Sequence, residues 1–226
     1  MFEAYNEAGA LQFDAQSFAY SFVEKGTVTI ANRFTIAEDG GDGIYLTTEG
    51  FQTIAGGWDI IVFSSPNVAI IPRADTYGGL PSGMFAVVAE PLLDGSGYYE
   101  PSTFSTTCNY WVFKSSRTFL SPAVSGVGLE IYNSDGTVCY SSTQKPLQVK
   151  SNATIASFSS SWTASVNLSA GPVYAHMLYG TVKSGPFLPG IKTRSNGWDG
   201  VSVVRQSGTL TNVVAGGILT VDVTGY

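Results

Sequence analysis

One short pattern occurs twice in this chain of 226 residues, and it limits the possible folds more than any other feature. Tyr5-Asn6-Glu7-Ala8-Gly9-Ala10-Leu11-Gln12-Phe13-Asp14-Ala15 aligns without a gap with Tyr132-Asn133-Ser134-Asp135-Gly136-Thr137-Val138-Cys139-Tyr140-Ser141-Ser142. The shared form is Tyr-Asn-x-x-Gly-x-[Leu/Val]-x-[Phe/Tyr]-[Asp/Ser]-[Ala/Ser]. Before the second turn, apolar residues alternate at Val127, Leu129 and Ile131; after it, Val138 and Tyr140 resume the alternation. Alternation on both sides of an Asn-to-Gly turn reads as two antiparallel strands joined tightly. Gly tolerates positive φ and Asn hydrogen-bonds its own backbone, so Asn6, Gly9, Asn133 and Gly136 are assigned to turn scaffolding and not to ligand contact. The stretch Gly126 to Val149 is therefore one hairpin of a matched pair, each opening a β unit.

Strand signals dominate the rest. No window of a dozen residues carries apolar positions at i, i+3, i+4 and i+7 without Gly, Pro or β-branched runs. Short Val-, Ile-, Phe- and Tyr-rich runs recur at Thr27–Ala31, Gly43–Leu46, Trp58–Phe63, Asn67–Ile71, Met84–Glu90 and Cys108–Lys114, separated by Gly, Pro, Asn, Asp and Ser. Ala153–Phe158, Ser161–Leu168, Val173–Tyr179, Val201–Arg205 and Gly217–Thr224 continue the series. The expected fold is all-β and sandwich-like, with many short antiparallel strands. In Cys108–Lys114, Trp111 and Phe113 alternate with Tyr110, Val112 and Lys114, and such a strand needs covering on both faces. Glu38–Gly43, Pro91–Pro101 and Gly185–Trp198 read as irregular loops, where function would sit. The chain divides at Ser115–Ser125 into units 1–120 and 121–226, or forms a single compact domain.

Charge excludes several functions. Only 12% of residues are charged and the net charge is −6, with eleven scattered basic residues and no stripe for phosphates, so nucleic acid is not expected as a partner. No apolar run reaches the length of a membrane-spanning helix, so no membrane insertion is expected. Met1-Phe2-Glu3-Ala4 has no basic region leading into an apolar core, which argues against secretion. Cys108 and Cys139 then read as small buried apolar residues in preference to a disulfide. The sequons Asn152-Ala153-Thr154 and Asn167-Leu168-Ser169 carry little meaning in that context.

Chemistry-bearing residues are sparse. His176, the one histidine, lies in a run where Tyr174, His176 and Leu178 share a strand face; no Gly-x-Ser-x-Gly elbow accompanies it, and a half-buried structural imidazole is the expectation. Glu38, Asp39 and Asp42, with Glu49 further on, depart from calcium-loop spacing and read as a solvated turn. No carboxylate pair is singled out for glycoside cleavage, and phosphate-cradling glycine loops are missing. Catalytic residues, metals and cofactors are therefore all expected to be none. Aromatics comprise 13% of the chain, and flat rings stack on sugars; Trp198, in Asn196-Gly197-Trp198-Asp199-Gly200, and Tyr98-Tyr99 are the candidates for exposed glycan or partner contact. The competing reading places such rings in the core and in subunit contacts.

The segment Val124 to Ser142, with its apolar strand, Ile131–Gly136 turn and Tyr140-Ser141-Ser142, resembles a recurring hairpin of small uncharacterised structural proteins of long-tailed bacteriophages. A similar Phe/Tyr-Asn-x-x-Gly turn opens those chains, as in Phe2 to Phe13. The likeness covers the N-terminal segment to about residue 30 and the block Tyr110–Val149; it departs from the family's Phe-Asp-Ser after the turn, where the second copy has Tyr140-Ser141-Ser142. It implies a tail-tip or tail-fibre-associated virion protein, assembled in the host cytoplasm and without catalytic residues. The partners it implies are other tail proteins, with homo-oligomerisation within the virion. A host-attachment module contacting a surface glycan is the alternative.

Overall fold

The computed structural model describes residues 3–5, 11–14, 20–30, 32–35, 43–47, 60–66, 70–74, 85–89, 106–115, 128–136, 138–156, 163–183, 187–204 and 213–226. Most of the described residues lie in strands and none in a helix, which makes the fold all-β. Numbered in chain order, two hairpins stand apart as two-stranded sheets: β1 (Glu3–Tyr5) with β2 (Leu11–Asp14), and β10 (Glu130–Tyr132) with β11 (Val138–Ser141). A six-stranded sheet follows the order β12 (Val149–Ile155), β17 (Val213–Asp222), β14 (Tyr174–Lys183), β6 (Ile60–Ser64), β9 (Thr106–Ser115), β3 (Tyr20–Ile30). A seven-stranded sheet follows the order β13 (Thr163–Asn167), β16 (Gly197–Val204), β15 (Phe187–Arg194), β7 (Ile70–Ala74), β8 (Phe85–Ala89), β5 (Gly43–Thr47), β4 (Asn32–Thr35).

These orders repeat within the chain. In the six-stranded sheet β3, β9 and β6 are mirrored by β12, β17 and β14; in the seven-stranded sheet β5, β8 and β7 are mirrored by β13, β16 and β15, leaving β4 as an extra edge. Registers agree residue by residue. Phe22 faces Phe113 while Glu24 faces Val112, so Val23 is bulged. Val149 faces Val221 while Ser151 faces Thr220, so Lys150 is bulged at the matching place. One row further in, Val112 faces Ile61 and Thr220 faces His176, which equates Ile61 with His176. The two hairpins match as closely: Glu3–Asp14, Ala4–Phe13 and Tyr5–Leu11 recur 127 residues on as Glu130–Ser141, Ile131–Tyr140 and Tyr132–Val138, with the irregularity in the same position.

The halves meet along a local two-fold axis. β6 and β14 run antiparallel with His176 opposite Phe63, and continuing that register sets Val62 opposite its own equivalent, Met177. On the other side of the sheet, Leu147 N donates to Tyr20 O at 2.7 Å and Phe22 N to Lys145 O at 2.8 Å, so the equivalent residues Tyr20 and Leu147 also meet. Asp222 N donates to Gln148 O at 2.9 Å, so the segment leading into β12 ties the outer strands of the sheet together. In the other sheet, Ile191 opposite Ile70 brings Pro72 opposite Pro189 when the register is continued. Among the described residues this seam, like that between β6 and β14, has a single paired position, and the prolines supply no N–H for a longer ladder.

The axis carries a core. Val62, Trp111, Phe113, Ala175, Val221, Val223 and Tyr226 form one buried cluster, with Tyr20, Phe22, Ile60, Leu147, Met177 and Leu219 packed against it. Equivalent positions differ in size across the axis: Trp111 and Phe113 are matched by Leu219 and Val221. Tyr226 fills the difference, its ring meeting Phe113 edge-on at 5.5 Å and Phe22 at 5.2 Å. Lys25 Nζ donates to the Tyr226 carbonyl and the Tyr226 hydroxyl to the Pro146 carbonyl, holding that ring over the axis.

The structure places Trp111, Val112 and Phe113 all in the interior, as the strand's composition required. It corrects the loop assigned to Gly185–Trp198: Phe187–Arg194 is β15 and Gly197 begins β16, joined through Ser195 and Asn196. Pro189 and Gly190 masked the strand in sequence, since both ordinarily demote one. Gly197 sits at φ 142°, and a Cβ there would stand 1.8 Å from the Val166 carbonyl oxygen. Gly197→Ala is expected to destabilise by roughly 2 kcal/mol or more, because strand backbone must shift to admit it. Gly136, at φ 83° with nothing within 4 Å of an added Cβ, should cost only about 1 kcal/mol on the same change. Urea unfolding of the two variants separates steric from purely conformational cost.

Candidate functional site

Two places distinguish themselves from ordinary packing. The first is the β10–β11 hairpin. Gly136 N donates to Asn133 O at 3.1 Å, closing the turn with the residue types the sequence assigned to it. The base is closed by Ser142 N to Leu129 O at 2.9 Å and Leu129 N to Ser142 Oγ at 2.8 Å. Ile131 and Val138 are buried, whereas Leu129 and Tyr132 are 55% and 43% exposed. The Tyr132 hydroxyl donates to Glu130 Oε2, and that carboxylate holds the phenol above its usual pKa. Of the matching hairpin, β1 and β2 are described; Asn6 and Gly9 lie outside the described residues.

The second place is a buried polar cluster between the two large sheets. His176, 1% exposed, shares its Nδ1 with Thr220 Oγ1 at 3.2 Å, and its ring meets that of Trp198 edge-on at 6.3 Å. Beside Trp198 in the ladder is Thr193, whose N–H donates to Ser65 O at 2.9 Å and whose Oγ1 accepts from Ser65 N at 3.3 Å. Among the described residues, His176 Nε2, Trp198 Nε1 and Ser65 Oγ have no hydrogen-bond partner. Burial pushes the imidazole down to about 3, so it is neutral at ordinary pH. In the other half the equivalent pair is Ile61 and Val112, both apolar. The expected half-buried imidazole is thus corrected: Tyr174, Ala175 and His176 are all buried, and among the described residues one imidazole nitrogen has no partner.

Of the two readings of Trp198, exposed contact and core packing, its burial matches the second. At 1% exposure it is a core residue, and it offers no face for a sugar ring. The stretch Gly185–Trp198 read as an irregular loop; instead β16 pairs with both β13 and β15, which places Trp198 on a strand flanked on both sides. Tyr98, Tyr99, Glu38, Asp39, Asp42 and Glu49 lie outside the described residues. Around β16, Arg194 Nη2 donates to Ser165 Oγ at 3.0 Å, Asn167 Oδ1 at 2.9 Å and Val166 O at 3.2 Å. Its Nε lies 3.1 Å from Asp199 Oδ2 without a hydrogen bond, so this group laces three strands together.

Cys108 is buried and free, with its thiol pushed up to about 12 by burial, which removes it as a nucleophile. The side chain of Cys139 lies outside the described residues. Among the described residues no three His, Cys, Asp or Glu side chains gather to hold a metal, and no helix is long and apolar enough to cross a membrane. The His176 cluster was invisible in sequence because its members come from four strands and the end of β6; only the internal alignment of the halves exposes it. No family model, curated protein or solved structure matches the chain.

Proposed function

We propose that this chain is a virion structural protein of a tailed phage, a tail-tip or tail-fibre-associated component that holds neighbouring subunits together without catalytic turnover. The observation that carries this reading is the internal duplication. A body in which β3, β6 and β9 recur as β12, β14 and β17 about a two-fold axis, with a hairpin repeated in identical register, offers its surfaces in pairs. Paired surfaces suit a joint between like neighbours. The hairpin's resemblance to phage tail components supplies the setting, with synthesis in the host cytoplasm and incorporation into the tail.

The glycan-binding alternative loses its main residue with the burial of Trp198, and nothing described favours it over assembly. The test is a nonsense mutation in the gene of a phage that encodes the chain, combined with quantitative mass spectrometry of purified particles. The reading expects a fixed copy number per wild-type particle and defective tails without the protein. A chain missing from purified particles, with normal tails in the mutant, would overturn it.

A further inference from the structure

Resting on that assembly reading, we propose that the two hairpins are two copies of one docking element, and that each binds a copy of the same partner protein through an apolar pocket bordered by basic side chains. Body positions have diverged freely between the halves: Trp111 against Leu219, Phe113 against Val221, Ile61 against His176, Val112 against Thr220. Geometry was kept there while side chains changed. In the hairpins Tyr, Asn and Gly are identical in both copies.

Asn and Gly are explained by the turn, where Gly136 takes φ 83° and donates to the Asn133 carbonyl. The turn itself does not require the tyrosine: Tyr132 is 43% exposed, its hydroxyl donates to Glu130 of the same hairpin, and the first copy keeps both residues as Tyr5 and Glu3. Leu129, at 55%, adds exposed apolar surface to the same hairpin, while Ile131 and Val138 are buried. Among the described residues neither hairpin pairs with a large sheet. A repeated aromatic on an element outside both large sheets, exposed at Tyr132, fits an anchor residue of an interface.

Charge identifies the occupant. Gly128–Ser142 contains Glu130 and Asp135, and Phe2–Ala15 contains Glu3, Glu7 and Asp14; neither segment has a lysine or arginine. Like charges placed across an interface are repelled, and the whole chain carries −6. A second copy of this chain is therefore a poor occupant, and a basic partner surface a good one. Because β2 leads into β3 and β11 into the equivalent β12, the two elements call for two copies of one partner.

The test places a photo-reactive benzoylphenylalanine at Tyr5 or at Tyr132 of the full chain during infection, and identifies the adducts by peptide mass. Both positions are expected to capture the same protein, on a basic and apolar surface. Native mass spectrometry of the complex should show two partner copies per chain, one after Tyr5→Ala or Tyr132→Ala, and none after both. Adducts with two different proteins, with a second copy of this chain, or at neither position would overturn the proposal. Should both positions capture one protein that is absent from the tail, the shared docking stands and the tail assignment falls. Should the chain sit in the tail while its hairpins capture unlike proteins, the reverse holds. The adduct arm does not depend on how the alanine variants fold.

Discussion

Phe113→Ala is expected to lower the unfolding free energy by about 3–5 kcal/mol, the range for deleting a buried aromatic and leaving a cavity. Phe113 is fully buried in the cluster on the two-fold axis, with the rings of Phe22 at 6.0 Å and Tyr226 at 5.5 Å. Its equivalent across the axis is Val221, so no second large side chain stands ready to fill the space. For a chain of this length the loss corresponds to a fall in melting temperature of roughly 6–20 °C. Differential scanning calorimetry checks it. The cluster is also the meeting place of the two halves, so the account expects a single cooperative transition to shift as a whole. If the transition splits, with one half melting early and the other unchanged, the core does not bind the halves together as described.

Acidification is expected to destabilise the fold through His176. Folded, the imidazole is held neutral with its pKa near 3; unfolded, it returns to about 6.5. Below 6.5 the unfolded chain takes up a proton that the folded chain refuses. Stability is therefore complete above pH 6.5 and falls as pH drops toward 3, by up to about 5 kcal/mol from this group. Asp222 adds to the loss: burial raises its pKa, but bonds from Thr224 and Lys150 outweigh that and leave it lowered, so protonating it also costs stability. Building the other half's pair, with His176→Ile and Thr220→Val together, should remove most of the pH dependence between 3 and 6.5. Retention of the full acid sensitivity in that double variant would show that the slope arises elsewhere.

The strands were legible where their side chains obeyed the rules of period and composition. Trp111, Val112 and Phe113 announced a strand covered on both faces, and all three are buried. Asn133 and Gly136 announced their turn. β15 was hidden because Pro189 and Gly190 sit inside it, and these residues are tolerated there by the thin pairing along the seam. Trp198 was a candidate for exposure because it closes a stretch that reads as an irregular loop, yet β16 is flanked on both sides by β13 and β15. The hairpin repeat was visible at once. The duplication of the whole body was not, because Ile61 and His176, or Phe113 and Val221, share a place in the ladder without sharing chemistry. Register conserves what sequence has lost.

A pair of distances tests the two-fold relation directly. Lys25 and Thr27 on β3 correspond to Asn152 and Thr154 on β12, and all four are exposed. Under a two-fold axis the distance from Lys25 to Thr154 must equal that from Asn152 to Thr27. Spin labels introduced through an unnatural amino acid leave Cys108 and Cys139 untouched, and pulsed dipolar spectroscopy reads each pair in the full chain. The account predicts two superimposable distance distributions; two distributions with clearly different means would contradict it.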